Sequence, residues 1–208
     1  MKKLFLLLLL FAFSCNSGQD SESAIDNFEF STFNILLNDT TNLFSKNLTK
    51  NNLIEKIGKF NIVDSKEWIE EGTIQINISK IYPNTDKELT IYWTDDNKLK
   101  SIQLNNPNSK WSFNNLMVGM TLDEIEKINS TNFNFYGFGW DEGGKIFDWN
   151  NGKFSDFQNG LKVYLLLNFD ELTESDIEKL SGDGITLNSN DIILKKEKVI
   201  IDKIEVMF

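Results

Sequence analysis

Side chains that commonly do chemistry are scarce in this chain. Its 208 residues include no histidine and a single cysteine, Cys15. Without histidine there is no Ser-His triad, no Cys-His pair and no histidine-bearing zinc site. Glycines are too sparse in any one segment to form a phosphate-binding loop. The sequence therefore predicts a protein that is not an enzyme and needs no cofactor.

Three carboxylates stand close to tryptophans. Asp141, Glu142 and Asp148 lie between Trp140 and Trp149. A pair of carboxylates can hydrolyse a glycosidic bond, and an indole ring offers a face on which a sugar can stack. Acidic residues in hairpin turns are more often simply solvated. A carbohydrate-binding or carbohydrate-acting surface protein is therefore the alternative function.

Two loops, at residues 95–97 and 181–184, carry oxygen ligands of the kind that calcium binds. Calcium takes clusters of carboxylate and carbonyl oxygens on flexible loops. Neither loop fits the twelve-residue pattern that closes on a glutamate. Tight turns explain both segments more simply, so the sequence predicts no metal site.

The only cysteine lies at the end of a predicted signal peptide. Lys2 and Lys3 precede an apolar run at residues 4–13, which is too short to span a bilayer, since that takes about 20 helical residues. The tetrapeptide Ala-Phe-Ser-Cys that ends at Cys15 resembles a lipobox, in which a cysteine is acylated before cleavage. Its phenylalanine departs from the usual small residue. We predict a signal peptide at residues 1–14 and lipidation of Cys15; the alternative is cleavage further along the chain.

In the segment 15–24, the residues that follow Cys15 are small, polar or acidic. This composition predicts that the segment is a flexible tether between the lipid and the domain. An acidic stretch at this place resembles the signal that sends Bacteroidota lipoproteins to the outer face of the outer membrane, and Asp20 and Glu22 would carry it. A plain tether facing the periplasm is the other interpretation. In both cases the sequence predicts an outer-membrane lipoprotein of the cell envelope, attached to the membrane through its N-terminal lipid.

The net charge restricts the partners. The chain carries a formal charge of −10 at pH 7, whereas nucleic-acid binding requires basic patches. An acidic surface also opposes adsorption to anionic lipid. The predicted partner is an unidentified envelope protein or glycan, and not a nucleic acid.

Three short helices are predicted to position these residues, at residues 50–57, 122–128 and 174–180. Gly58 ends the first of them. Thr121 and Glu124 form a capping box at the start of the second, which Asn129 is expected to end in the left-handed conformation.

Apolar residues alternate with polar ones at residues 73–78, 161–169 and 204–208. A period of two is what half-buried antiparallel sheet requires. We therefore predict an α+β domain at residues 25–208, mainly antiparallel β-sheet with two or three short helices. Similar helix starts suggest two tandem helix-plus-strands repeats, at about residues 40–105 and 112–208, and two unrelated helices are the alternative.

The run Gly-Phe-Gly-Trp-Asp-Glu-Gly-Gly at residues 137–144 is the most distinctive segment. It resembles a family of uncharacterised Bacteroidota envelope proteins with the motif GFGWDxGG followed by W..GK, over about residues 74–167. The chain departs from that family at Asn129-Ser130 and at Glu142. Its architecture also looks, more loosely, like that of β-lactamase inhibitor proteins and small outer-membrane assembly lipoproteins. The resemblance implies a binding protein.

The aromatic residues of this segment have two interpretations. Strand alternation would put Tyr136, Phe138 and Trp140 on one side and Phe133 on the other. The first interpretation is that Trp140 and Trp149 pack in the core. The second is a binding face formed by Tyr136, Phe138, Trp140 and Trp149. Together these observations predict a lipid-anchored, non-catalytic interaction or assembly module of the envelope.

Overall fold

The computed structural model describes residues 34–35, 43–69, 71–170, 172–191, 193–194 and 199–208. The helices are α1 (Lys50–Ile57), α2 (Leu122–Asn129) and α3 (Glu174–Leu180). The strands are β1 (Asn34–Ile35), β2 (Ile62–Ile69), β3 (Ile74–Ile81), β4 (Leu89–Trp93), β5 (Leu99–Leu104), β6 (Ser112–Phe113), β7 (Asn134–Tyr136), β8 (Ile146–Asp148), β9 (Leu161–Leu167), β10 (Thr186–Asn188) and β11 (Val199–Met207). The predicted signal peptide, Cys15 and the predicted tether lie outside the described residues.

A six-stranded antiparallel sheet in the order β2-β3-β4-β5-β11-β9 is the largest element. A second antiparallel sheet has the order β10-β7-β8, and β1 pairs with β6 in parallel. This architecture confirms the predicted α+β class with mainly antiparallel sheet. Strands from both predicted repeats form the large sheet, and whether the two segments are repeats stays a prediction. No helix in the described part of the chain is long and apolar enough to cross a membrane.

One face of the large sheet forms the hydrophobic core. Ile91, Ile102 and Val206 lie side by side on β4, β5 and β11 and are fully buried. Leu53 of α1 and Ile125 of α2 belong to the same apolar cluster. Burying one such side chain stabilises the fold by about 1.5–3 kcal/mol. The alternation read at residues 161–169 and 204–208 thus places its apolar side chains in this core, whereas at residues 73–78 it does not, since Ile74 is 45% exposed.

The helix caps follow the sequence closely. Thr121 Oγ1 accepts from the Glu124 N–H, and the Glu124 carboxylate accepts from the Thr121 N–H at 2.8 Å, so the predicted capping box is present. Gly58, with φ +81°, ends α1 as predicted. The predicted end of α2 was wrong by one residue, because Ser130 and not Asn129 takes the left-handed conformation. Asn129 is the last residue of α2 and is fully buried.

The two outer edges of the large sheet differ. The small sheet covers the β9 edge, where the Leu165 N–H donates to the Gly144 carbonyl at 2.9 Å and Lys145 forms a bridge with Tyr164. The β2 edge pairs with no strand among the described residues. The protein itself therefore closes one edge, whereas the other is open as far as the structure describes the chain.

Candidate functional site

Residues 137–144, which we call the glycine loop, fold tightly against two neighbouring elements. The Gly137 N–H donates to the Ile185 carbonyl at 2.7 Å, and a Cβ on Gly137 would lie 2.7 Å from that of Ile185. At Gly144, where φ is +72°, a Cβ would lie 2.2 Å from the Leu165 carbonyl oxygen. Glycine is required at both positions because an added Cβ would overlap the Ile185 side chain at Gly137 and the Leu165 backbone at Gly144. The motif is thus explained by packing.

Phe138 does not follow the predicted strand alternation. β7 ends at Tyr136, and the Phe138 N–H donates to the Leu180 carbonyl at 2.8 Å, which turns the chain away from the sheet. Its side chain is 4% exposed and its ring lies 5.8 Å from that of Phe135. Phe138 is a core residue, so its assignment to the predicted binding face was wrong.

Trp149 is 1% exposed and packs between Phe133 and Phe154, at ring-centre distances of 5.5 and 4.9 Å. Asn129 holds this region together: its side-chain amide donates to the Trp149 carbonyl at 3.0 Å and its oxygen accepts from the Phe154 N–H at 3.2 Å. Trp149 offers no surface to a ligand. Its place on the predicted binding face is corrected, whereas its burial agrees with a role in the core.

The turn after Trp149 shows why asparagine and glycine stand there. Asn150 and Asn151 have φ of +50° and +57°, and the Gly152 N–H donates back to the Trp149 carbonyl at 2.9 Å. A Cβ on Gly152 would lie 2.3 Å from the Asn129 side chain. The Asn-Asn-Gly sequence at residues 150–152 thus forms a tight turn, and the shape of this turn makes room for Asn129.

Tyr136 and Trp140 remain half-buried, as does Phe147. Tyr136 stacks on Phe147 at 4.6 Å and meets Trp140 edge-on at 5.6 Å. Trp140 Nε1 donates to the Gly137 carbonyl at 2.8 Å, which fixes the indole on its own loop. We call these three residues the aromatic cluster. Tyr136 and Trp140 are the two residues of the predicted binding face that stay partly exposed.

The carboxylates beside the aromatic cluster are mostly engaged in local structure. Asp148 accepts from the side chain of Asn134 at 3.0 Å and from the Asn150 N–H at 2.8 Å. Glu142 pairs with Lys145, and Asp141 is exposed. Two of the three carboxylates, those of Asp148 and Glu142, are thus held by local contacts.

Tyr164 lies next to this region on the outer face of β9. Burial raises its pKa to about 12, with a further contribution from the charges of Glu142 and Glu205. The Lys203 ammonium sits 4.0 Å from the centre of its ring. The phenol therefore stays protonated at neutral pH and acts as a packing surface for a cation.

The two loops considered for calcium are turns. Asp96 pairs with Lys98 at 2.5 Å and accepts from the Thr94 hydroxyl at 2.6 Å. Gly182 donates from its N–H to the Phe138 carbonyl at 2.9 Å. In the part of the chain that the structure describes, no group of three or more acidic or cysteine side chains is placed to hold a metal ion.

Exposed apolar side chains concentrate on the hairpin of β2 and β3 and on Phe60 just ahead of it. In this region the sequence predicted only part of β3. Phe60 is 91% exposed and Trp68 is 61% exposed, and Val63 and Ile74 are also open to solvent. Of the large apolar side chains exposed in the described residues, only Leu166 lies elsewhere. β2 was missed because Asp64, Lys66 and Glu67 interrupt its apolar pattern.

The hairpin also projects beyond the rest of the sheet. All eight residues of β2 pair with β3, whereas only residues 78–81 of β3 pair with β4. A surface cavity of about 280 Å³ lies where β4 stops, between Ile76 and Trp93, and Asp95 and Lys100 line it as well. The free hairpin and this cavity form a second candidate binding region.

No family model, no curated protein and no solved structure matches this chain significantly. The resemblance to Bacteroidota envelope proteins therefore stays a hypothesis, and the function has to be argued from the geometry of these two regions.

Proposed function

We propose that this protein is a lipid-anchored envelope protein that acts as a non-catalytic interaction module, and that the β2–β3 hairpin is its binding surface. The main support for this binding surface is that exposed apolar side chains, among them Phe60 and Trp68, are concentrated at that hairpin. Large exposed apolar side chains gathered in one region of a folded domain are typical of a protein-binding site.

The open edge of β2 is the second part of the proposed binding surface, beside the exposed apolar side chains. An edge strand presents unpaired backbone N–H and C=O groups, to which an extended segment of a partner can add as a further strand. Backbone hydrogen bonds then supply affinity, while side chains such as Val63 and Trp68 supply specificity. No reacting group is needed for this role.

Photo-crosslinking in intact cells tests the binding surface. A photoreactive amino acid is placed at Trp68 or at Phe60, and as a matched control at Glu178, which is exposed on α3. We expect crosslinked protein adducts at the two hairpin positions and none at Glu178. Equal labelling at all three positions, or none at any, would contradict the proposed binding surface.

The lipid anchor is tested separately. Cys15→Ala should abolish incorporation of a fatty-acid analogue, because the chain has no other cysteine. Label that persists in this variant would overturn the proposed lipidation while leaving the hairpin untouched.

Carbohydrate binding is the second candidate, favoured by the half-buried aromatic cluster around Trp140. Trp140→Ala should then weaken sedimentation with purified envelope polysaccharide, and Trp68→Ala should leave it unchanged. If the wild-type protein does not sediment with polysaccharide at all, this second candidate is ruled out.

A further inference from the structure

We propose that the partner of the β2 edge is β2 of a second copy of this chain, paired antiparallel about a two-fold axis at Ser65. The two large sheets would then become one continuous sheet. This inference rests on the proposed function of the hairpin and names its partner.

The backbone of β2 determines which groups face outward. The Tyr82 N–H donates to the Asn61 carbonyl at 2.8 Å, just ahead of the Ile62–Ile81 pair. Hydrogen-bonding direction alternates along a strand, and the β2–β3 register has no bulge. The odd-numbered residues of β2 therefore bond to β3, and the even-numbered ones, including Asp64 and Lys66, turn their N–H and C=O toward the open edge.

The side chains of β2 are complementary to themselves in one register. With the two-fold axis at Ser65, Asp64 of one copy faces Lys66 of the other, and the pair occurs twice. In the same register Ile62 faces Trp68. Moving the axis by one residue puts Lys66 against Lys66, or Asp64 against Asp64. Like charges directly opposite each other destabilise strand pairing, so the charges select Ser65.

Charges on an edge strand ordinarily prevent pairing. Here the charges of Asp64 and Lys66 oppose pairing in the neighbouring registers and favour it in one register, which makes the pairing specific.

The Asp64 carboxylate can accept further hydrogen bonds from a partner strand. Its side chain is 50% exposed beside Lys50, with an N–O distance of 2.9 Å, and a carboxylate accepts about four hydrogen bonds. Burial acts to raise the pKa of Asp64, but bonds from Ser79 and Lys50 outweigh it and lower the pKa, so the charge persists at neutral pH.

The positions of the exposed aromatic residues fit the same two-fold arrangement. Phe60 precedes β2 and Trp68 lies near its end, and both are exposed in the single chain. Antiparallel pairing brings each Trp68 opposite Ile62 of the other copy, next to the segment before β2 that contains Phe60. The proposed dimer thus covers the most exposed apolar groups of the hairpin in one step.

Disulfide trapping in cells that make the full chain tests the register. Ser65 would face its own copy as a non-hydrogen-bonded pair, with Cα atoms about 4.5 Å apart, which suits a disulfide. Ser65→Cys should form dimers under mild oxidation. Val63→Cys and Glu67→Cys should not do so alone, but should crosslink to each other when coexpressed. The wild-type chain controls for disulfides through Cys15.

A stronger crosslink through Val63→Cys alone or Glu67→Cys alone would overturn the register. Absence of every crosslink would overturn the second copy as partner. In that case, photo-adducts at Trp68 with a different protein would still support the proposed function, so the two failures are distinguishable.

Sedimentation of two Lys66 variants in detergent measures how much the β2 edge contributes to dimer formation. Lys66→Pro removes an outward N–H but no bond to β3, so the dimer should be lost while the thermal midpoint of the monomer is retained. Lys66→Glu should raise the dimer dissociation constant about tenfold or more, since it makes both charge pairs repulsive. Lys179→Glu, the same charge change on the exposed face of α3, should leave that constant unchanged. A dimer that tolerates both Lys66 variants would refute the pairing.

Discussion

The glycine loop and the β2–β3 hairpin each differ from what their sequences suggest about where a binding surface lies. The glycine loop has aromatic residues, carboxylates and glycines in a dense motif, yet Phe138 is buried, and its glycines serve close backbone contacts. The hairpin has an ordinary sequence, yet Trp68, Val63 and Ile74 are open to solvent, and its β2 edge has no partner strand within the described residues. A conspicuous motif can thus be required for packing, while the proposed binding surface has no motif of its own.

The physical reason lies in how each region meets the rest of the protein. The glycine loop joins two sheets, and every close approach there demands a residue without a side chain. The hairpin projects from the sheet, so its side chains meet few neighbours and place few demands on sequence. Four experiments can break or sharpen this contrast, and they follow in order of decreasing expected effect.

Trp149→Ala should lower the free energy of unfolding by about 3–5 kcal/mol, because it removes a fully buried indole. Trp68→Ala, the matched change on the hairpin, should alter it by no more than about 0.5 kcal/mol. Urea unfolding of the purified proteins measures both values. Equal destabilisation by the two changes would abolish the contrast between the regions.

Gly144→Ala and Gly72→Ala compare two glycines of similar backbone, with φ of +72° and +82°. Gly72 in the hairpin loop has no atom within 4 Å of an added Cβ, so alanine should cost only the left-handed strain of about 1–2 kcal/mol. At Gly144 the overlap with Leu165 should add about 1–3 kcal/mol. Thermal melts of both variants test this, and a smaller loss at Gly144 would show that the close approach is unimportant.

Trp140→Ala should have an intermediate effect, a loss of about 1–2 kcal/mol, since its indole is only half-buried. The first interpretation of the sequence, in which both Trp140 and Trp149 pack in the core, implies a large loss at both positions. Chemical denaturation distinguishes the two. A loss at Trp140 as large as at Trp149 would place the aromatic cluster in the core and remove the second candidate function.

Thr121→Ala should cost about 1 kcal/mol, the usual loss of a helix-capping oxygen. Bonds from the Thr121 N–H and hydroxyl lower the pKa of Glu124 from its ordinary value of 4.5. A lowered folded-state pKa stabilises the fold above that ordinary value, and this contribution disappears as the pH falls through the folded-state pKa. Glu124→Gln should therefore melt below wild type at neutral pH and converge with it in acid. Parallel melts at all pH values would contradict the capping role.

Local rules accounted for a large part of the fold. The capping box at Thr121, the stop at Gly58 and the tight turn at residues 150–152 were predictable because each depends on contacts within a few residues. β2 was not predictable in this way. Its central residues are charged, and it is a strand because β3 pairs with it along its full length.

Composition and local pattern by themselves determined the α+β class, the acidic charge and the lack of histidine, and they predict a lipid anchor at Cys15. Only the tertiary structure decided which side chains are buried. Burial depends on where a strand stops and what packs against it, as Phe138 shows by turning inward after β7 ends. For the same reason an edge is open or closed only once all strands are placed: β9 is covered by the small sheet, and β2 has no strand beside it in the described residues.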